Sequence, residues 1–290
     1  MITAQDTTDT APNQVVSILS IVMIVCGALA ARANAQDIIE PDRPDVTNGT
    51  HIVEIGLLQI EMGAQFVRST GAQRSFGSPL TARAGLTEWL EARIGTDGFV
   101  AQSDGTIRQT GIGNTNLGAK VRLWGDPGGV PVLSILPTIN FPTSDPEKGF
   151  GSGDRDYLLT LLTGTDIGRH WHADVNYGAG ALGAGHDRPH FVQQLASVSV
   201  SVAATDNLNP YAEVFWFSKQ DADSGELTAI DAGAVYELGA RYAVDWGVQV
   251  GVSGSHDVSV FGGLSMIVGD ILGNHGVHAR ERQLQRRVTR

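Results

Sequence analysis

Cysteine, charge and long apolar runs are all scarce in this chain of 290 residues. The only cysteine, Cys26, lies inside an N-terminal apolar run. No second run of roughly eighteen or more apolar residues follows, which excludes a protein with several transmembrane helices. Charged residues make up 18% of the chain, and its lysines and arginines form no stripe with interleaved aromatics. With a net charge of −11, the sequence gives no support to nucleic-acid binding.

The N-terminal apolar run extends from Val15 to Ala31 and precedes Ala33-Asn34-Ala35, the small-x-small pattern of a signal-peptidase site. This pattern predicts a signal peptide over residues 1–35 and a mature chain that begins near Gln36. The alternative is a single membrane-anchoring helix. A mature chain that starts there contains no cysteine, so an exported protein of this kind needs a closed hydrogen-bonded architecture or a large core.

Alternation with a period of two is the strongest pattern in the mature chain, and it predicts β-strands. In LLQIEMGAQF, for example, Leu58 and Ile60 alternate with Gln59 and Glu61. Most such runs are long enough to cross a membrane when tilted, which takes about nine to eleven residues. About twelve runs occur, near 56–68, 78–86, 89–100, 112–124, 130–142, 155–166, 169–182, 190–204, 208–219, 226–241, 243–255 and 258–268.

The connections between these runs alternate in length. The first, third, fifth, seventh and ninth are longer and polar, as in SDGTIRQTG at 103–111. The second, fourth, sixth, eighth and tenth are short, as in Thr87-Glu88. A membrane barrel whose N-terminus lies in the periplasm needs long loops outside and tight turns inside, whereas a Greek-key sandwich has no such requirement. We therefore predict an all-β fold, a single antiparallel transmembrane β-barrel of about 12 strands with a periplasmic N-terminus.

The two faces of the strands agree with a barrel. In one run Leu117 and Val121 alternate with Lys120 and Arg122, and a dry core around these two cations would be costly, so the polar face must be wet or paired. Aromatic residues cluster near strand ends, as at a bilayer interface. The predicted organisation is a signal peptide at 1–35, an N-terminal periplasmic segment at 36–55, an outer-membrane β-barrel at 56–269 and a basic, disordered C-terminal tail at 270–290.

Several stretches of the chain also resemble a known family. In order, they are Asp42-Arg43-Pro44-Asp45, GLLQIEMGAQF, GLTEWLEARIG, NTNLGAKVRL, LPTINFPTSD and SVFGGLSM. Over about residues 40–269 they resemble the MetA-pathway of phenol degradation proteins. The resemblance implies an outer-membrane β-barrel transporter and the transport of aromatic or other hydrophobic molecules. The chain departs from most outer-membrane barrels because its last strand does not end on an aromatic residue.

Projecting the alternation inward predicts a lumen lined by charged side chains. The first half of the barrel contributes Glu61, Arg83, Glu91, Arg93, Lys120 and Arg122. The second half contributes Asp174, Glu213, Asp231, Glu237 and Asp245. A basic wall facing an acidic wall would orient dipolar or charged permeants. The alternative is a paired ladder of charges that braces or plugs the lumen, as is common in small barrels.

Histidine and glycine motifs give weaker signals. One metal ion could be approached by His170, His172, His186, Asp187 and His190. No cysteine and no helical zinc spacing accompanies them, so no metal is predicted. His172 and Asp174 could belong to a hydrolase triad, but no nucleophile elbow appears and no catalytic residue is assigned. The GxGxxG pattern at 178–183 has no βαβ unit around it, so no cofactor is predicted.

Together these patterns predict a channel that passively takes up small hydrophobic or aromatic molecules across the outer membrane, and not an enzyme. The expected partners are outer-membrane lipid, the small-molecule permeant and the barrel-insertion machinery. Two alternatives stay open. One is a hydrolase-like enzyme carried by an outer-membrane barrel, with His172 and Asp174 near its site. The other is a soluble periplasmic β-sandwich that binds a ligand.

Overall fold

The computed structural model describes residues 39–125, 131–185 and 188–271, in which nearly all regular structure is β-strand. Twelve strands, all except β2, β5 and β6, form an antiparallel ring, which confirms the predicted fold class. The strands are β1 (Leu57–Arg68), β2 (Arg74–Gly77), β3 (Leu80–Thr87), β4 (Leu90–Thr96), β5 (Phe99–Ser103), β6 (Arg108–Ile112), β7 (Thr115–Trp124), β8 (Val132–Phe141), β9 (Asp156–Ile167), β10 (Trp171–Leu182), β11 (Phe191–Val202), β12 (Leu208–Phe217), β13 (Leu227–Glu237), β14 (Tyr242–Ser253) and β15 (Val258–Asp270).

The ring closes where β1 pairs with β15, from Leu57 opposite Asp270 to Arg68 opposite Val258. Closure gives each ring strand a neighbour on both sides, so no long strand edge is left open. Backbone groups that pair in this way need no water, which is the condition for a strand to lie in hydrocarbon. A closed ladder of this kind is the architecture that we expected for a mature chain without cysteine.

The outward face of the ring is apolar and exposed, whereas the inward face carries buried polar residues. On β7, Leu117 points outward and is 46% exposed, while Lys120 points inward and is completely buried. The same exposed aliphatic face continues around the ring with Leu159, Leu161, Val175, Val198, Val214, Ile230, Val248 and Val260. Such a surface is suited to hydrocarbon, and in water it would be a large apolar patch.

Tryptophans mark the end of the barrel that carries the short turns. Trp89, Trp124 and Trp171 are each more than half exposed at this end. Tyr211 also lies near a strand end, but it is buried on the inward face of β12 and not exposed like these rings. Exposed tryptophans at one level of a barrel are typical of the membrane–water interface.

The three strands outside the ring extend its wall at the opposite end. β2 pairs with the last part of β1, β5 with β2, and β6 with β5. The stretch 103–111 was predicted as a loop, but it contains most of β6. The chain reverses because Asp104 Oδ1 accepts the backbone N–H groups of Thr106 and Ile107, each at 2.8 Å. The predicted signal peptide and residues 272–290 of the predicted tail lie outside the described residues.

Helical structure within the described ranges is limited to one 3₁₀ turn, Pro146–Lys148. Asp145 caps it by accepting the backbone N–H of Glu147 at 3.1 Å, and Gly149 ends it with a φ of 75°. No helix in the described part of the chain is long and apolar enough to cross a membrane.

The orientation of the faces predicts the effect of a charge on each of them. Val198 is exposed near the middle of β11, between Val175 and Val214 of the neighbouring strands. Val198→Lys is expected to destabilise the barrel by about 2–4 kcal/mol, the cost of a lysine on the lipid face near the bilayer midplane. The midpoint of thermal unfolding, followed by the mobility shift on a denaturing gel, measures this change.

The matched control is Gln193→Lys, on the inward face of the same strand. This variant is expected to keep the wild-type midpoint, because its charge faces the lumen. Equal destabilisation by both substitutions would contradict the assignment of the two faces.

Candidate functional site: a charged insert in the barrel lumen

Residues 39–55, here called the insert, cross the lumen ahead of β1. The backbone N–H of Val53 donates to Glu91 Oε2 of β4 at 2.9 Å. The backbone N–H of Thr47 donates to Glu213 Oε1 of β12 at 2.6 Å. β4 and β12 are six strands apart in the ring of twelve and therefore lie on opposite walls. The insert thus spans the barrel from wall to wall.

This position differs from the predicted periplasmic segment at 36–55. The described part of that segment lies inside the barrel, where its backbone groups form hydrogen bonds with inward side chains of the wall. Polar backbone groups that leave water need such partners. Arg83 supplies two of these contacts, donating to the carbonyl oxygens of Glu40 at 3.1 Å and of His51 at 3.3 Å.

A balanced cluster of charges holds the first part of the insert. Asp42 accepts Lys120 Nζ at 2.7 Å and Arg93 Nη1 at 2.6 Å, and Arg83 lies 3.6 Å away. Arg83 in turn contacts Glu61 at 2.7 Å and Glu91 at 2.8 Å. Three carboxylates therefore meet three cations, and only Asp42 among the six comes from the insert.

The cluster keeps Asp42 ionised. Burial opposes the charged form, but Arg83, Lys120 and Arg93 outweigh it and hold the pKa of Asp42 well below its usual range. Buried ion pairs of this kind add little net stability compared with a well-packed apolar core, yet removing one partner is strongly destabilising. The cluster therefore fixes where the insert lies more than it stabilises the barrel.

The second residue of the Asp42-Arg43-Pro44-Asp45 motif binds the wall where the ring closes. Arg43 Nη2 donates to Asp245 Oδ1 of β14 at 3.1 Å. Its guanidinium lies against Gly63 and Gly263, which are paired across β1 and β15. A Cβ atom on Gly63 would come within 2.4 Å of Arg43 Cζ, so only glycine leaves room for this side chain.

The rest of the insert is bound to β10, β11 and β12. Asn48 and Asn176 exchange two hydrogen bonds, from the backbone N–H of Asn48 at 2.8 Å and from Asn176 Nδ2 at 3.0 Å. Thr47 Oγ1 donates to Ser197 Oγ at 2.8 Å, and Asp45 accepts the hydroxyl of Ser199. Burial raises the pKa of Asp45 to about 7, and the neighbouring carboxylate of Glu213 adds to the shift.

Both ends of the insert pack against apolar residues at the turn end of the barrel. Ile39 and Val53 form a buried cluster with Leu57, Ala243 and Ile267. The backbone of the insert passes Gly85 of β3 so closely that a Cβ atom there would meet Val53 O at 2.1 Å.

Most of the predicted lumen residues contact the insert, so they do not face a free channel at its level. Those that do are Glu61, Arg83, Glu91, Arg93, Lys120, Glu213 and Asp245. Of the others, Arg122 donates to Glu88 O at 3.3 Å, and Asp231 lies opposite Glu213 in register. Asp174 faces His172, and Glu237 accepts from Asn209. The cations of the predicted basic wall are therefore paired with the carboxylates of Glu61 and Glu91 on the same wall and with Asp42 of the insert. This arrangement resembles the alternative, in which paired charges brace the lumen.

The histidine candidates do not form the arrangement of a hydrolase triad. His172 Nδ1 lies 2.7 Å from Asp166 Oδ1, and its Nε2 lies 3.1 Å from Asp174 Oδ2. Both ring nitrogens thus face carboxylates, and neither is aimed at a serine hydroxyl. His190 contacts the carbonyl oxygen of Arg155, whereas His186 and Asp187 lie outside the described residues.

Sequence reasoning missed an apolar part of the inward face. Ser197 binds the insert, and Leu195, two residues nearer the long loops, points the same way. In register, Leu195 lies opposite Phe217, which lies opposite Leu227, and all three are partly exposed. The sequence of β12 contained the information needed to predict this surface. Glu213 was predicted to point inward, and Phe215 and Phe217 follow it at every second position, so they point inward as well. The prediction collected charged residues only and therefore passed over them.

Comparisons with solved structures find the same barrel fold in outer-membrane proteins. The COG4313 outer membrane channel from Pseudomonas putida F1 is similar with a TM-score of 0.61 and 12% identity, covering 79% of this chain and 99% of the channel. The NanC porin is similar with a TM-score of 0.52 and 11% identity, covering 71% of this chain and 98% of the porin. At these identities the likeness shows a common fold.

Comparison with curated protein sequences finds no significant relative. The family model described as "Putative MetA-pathway of phenol degradation" matches residues 41–262, which is most of the chain. This match begins within the insert and confirms the resemblance seen in the sequence motifs, of which the first four contribute residues to the insert and its charge cluster. The chain therefore belongs to the "Putative MetA-pathway of phenol degradation" family.

Proposed function

We propose that this protein is an outer-membrane channel for the passive uptake of small apolar molecules, including monocyclic aromatic ones. The observation that carries the proposal is the partly exposed inward row of Leu195, Phe217 and Leu227, between the insert and the long loops. Apolar solutes leave water favourably when they contact such a surface. The family description, which concerns phenol degradation, agrees with this class of solute.

The insert restricts the size of the solute. Because it is bound to opposite walls, through Glu91 and Glu213, it leaves no wide aqueous path. A narrow route lined by apolar side chains near the loops favours small, weakly hydrated molecules over sugars and ions. No residue pattern for energy coupling was found in the sequence, so the proposed movement is diffusion down a gradient.

Whole cells with an intact lipopolysaccharide leaflet provide the test, because that leaflet excludes apolar dyes. Cells that make the protein are expected to take up an apolar naphthylamine dye several times faster than cells without it. Glucose uptake and ion conductance in planar bilayers should stay low. Fast glucose uptake with unchanged dye uptake would contradict the proposal and indicate an open polar pore.

A disulfide lock tests whether the insert stays in place during uptake. Thr47 Oγ1 and Ser197 Oγ are 2.8 Å apart, so cysteines at these two positions can form a bridge between the insert and β11. The variant Thr47→Cys/Ser197→Cys is expected to take up the dye at the same rate before and after reduction, within about twofold. This follows because the apolar row lies on the loop side of the insert.

The single variants Thr47→Cys and Ser197→Cys are the controls for each cysteine alone. The predicted signal peptide carries the only natural cysteine, so no other thiol is expected to compete in the mature chain. Loss of uptake in the oxidised double variant, with recovery on reduction, would show instead that the insert has to move.

A further inference from the structure

Three arginines form a row on the outward face where the wall is extended. Arg68 of β1 lies opposite Arg74 of β2, Arg74 lies opposite Ser103 of β5, and Ser103 lies opposite Arg108 of β6. Residues directly opposite in a ladder point to the same side, and neighbouring strands are about 4.8 Å apart. The three guanidinium groups are thus carried by strands that span about 15 Å.

These arginines are unusual in a chain with a net charge of −11. Arg68, Arg74 and Arg108 are all exposed, and none has an ion pair or hydrogen bond within the described parts of the chain. The nearest carboxylate on the extension, Asp104, accepts the backbone N–H groups of its own turn, which lower its pKa. Like charges in neighbouring positions repel each other, so a row without partners calls for an external anion.

The row lies directly above an apolar level of the same face. Two residues along the strands from Arg68 and Arg74 are Phe66 and Phe76, which are paired in register. Phe99 of β5 lies one outward position further from the row, with its ring centroid 6.3 Å from that of Phe76. Aromatic rings followed by cations are the order expected where a barrel passes from hydrocarbon to headgroups.

A polar cavity of about 400 Å³ lies behind the row, on the inward side of the extension. Ser75, Gln102 and Gln109 line it and are opposite one another in register, so they alternate with the arginines and point to the other face. The outward face therefore carries only an acyl-chain level followed by a cation level.

We propose that this surface binds a phosphorylated lipid of the outer leaflet, with Arg68, Arg74 and Arg108 contacting its phosphate groups. Arginine suits phosphate because its planar guanidinium can donate two parallel hydrogen bonds. The proposal rests on the predicted orientation, in which the extension lies on the cell surface. It does not depend on uptake, since binding is measured on the purified protein.

The test measures lipid binding by native mass spectrometry of the full-length protein in detergent. Diphosphorylated lipid A is expected to bind at least tenfold more tightly than the same lipid without phosphates. In Arg68→Gln/Arg74→Gln, binding of the phosphorylated lipid should fall about thirtyfold, because each cation near an anionic surface contributes a several-fold factor. Arg68→Lys/Arg74→Lys keeps the charge and should lose less than the glutamine variant.

The matched control is Arg169→Gln/Arg188→Gln, which removes the same charge elsewhere. Arg169 lies at the short-turn end, and Arg188 is already paired with Asp223 at 2.8 Å. This control is expected to bind like wild type. If the wild-type protein bound the lipid without phosphates equally tightly, that result alone would overturn the proposal. So would an equal loss in the control, or displacement of the lipid by an equal concentration of inorganic phosphate.

Discussion

Asp42→Ala is expected to release the insert from the wall and to raise the single-channel conductance several-fold. The substitution removes the only carboxylate that the insert contributes to the cluster and leaves Lys120 and Arg93 without their closest partner. Removing one partner of a buried ion pair typically costs about 3–5 kcal/mol. The two cations can recover water only if the insert withdraws, which replaces the narrow route beside the insert with a wide aqueous path.

The same variant should also become selective for anions. With the insert displaced, Lys120 and Arg93 would line a water-filled lumen, and a ring of positive side chains attracts anions. Current–voltage curves in a potassium chloride gradient measure both changes, since conductance comes from the slope and selectivity from the reversal potential. Thermal unfolding of the same sample separates release of the insert from loss of the barrel.

Asp223→Ala is the matched control for Asp42→Ala. It also removes a carboxylate bound to an arginine, but this pair lies on the exposed surface, where ion pairs contribute little. The control is expected to conduct and unfold like wild type. If Asp42→Ala also kept the wild-type conductance and unfolding midpoint, Asp42 would not be the anchor of the insert.

The barrel could be predicted from the sequence because its strands follow a local rule. Alternation of Leu117 and Val121 with Lys120 and Arg122 is visible in a few consecutive residues, and the structure places the two sets on opposite faces. The strand boundaries agree to within a few residues wherever both flanking turns are marked by glycine, aspartate or proline. Local patterns of this kind survive folding because one face meets an apolar environment.

The insert could not be predicted in the same way, because its position depends on contacts between distant residues. Residues 39–55 have no period, and their partners, such as Lys120, Glu213 and Asp245, are spread over most of the chain. The Asp42-Arg43-Pro44-Asp45 motif was noticed through the family resemblance alone. Its role follows only when the ring brings these partners to one level of the lumen.

The arginine row shows a second limit of local reasoning. Arg74 and Arg108 fall in stretches that were predicted as connections between strands, and the sequence gives no reason to place them side by side. β2, β5 and β6 are short, and only their register with the end of β1 brings the two residues into line with Arg68. A single exposed arginine says little about binding, whereas a row of arginines without ion-pair partners indicates a surface for an anion.

Phe217→Asp is expected to lower dye uptake about tenfold while leaving the barrel assembled. The carboxylate keeps its own hydration shell within the row of Leu195, Phe217 and Leu227, so an apolar solute there loses contacts. Burying one apolar side chain contributes about 1.5–3 kcal/mol, and a loss of about 1.4 kcal/mol in the barrier region corresponds to a tenfold change. Dye uptake by whole cells at equal protein levels measures the effect.

Two further variants show whether this loss comes from charge in the apolar row. Phe217→Leu keeps the position apolar and should retain most of the uptake. Gln193→Asp places the same carboxylate on the inward face of β11, one inward position nearer the loops than Leu195, and should retain it as well because that level is already polar. Uptake that fell equally in Gln193→Asp would mean that any negative charge in the lumen excludes the dye. Uptake unchanged in Phe217→Asp would mean that the solute does not pass this row, and the apolar lining would then have a structural role.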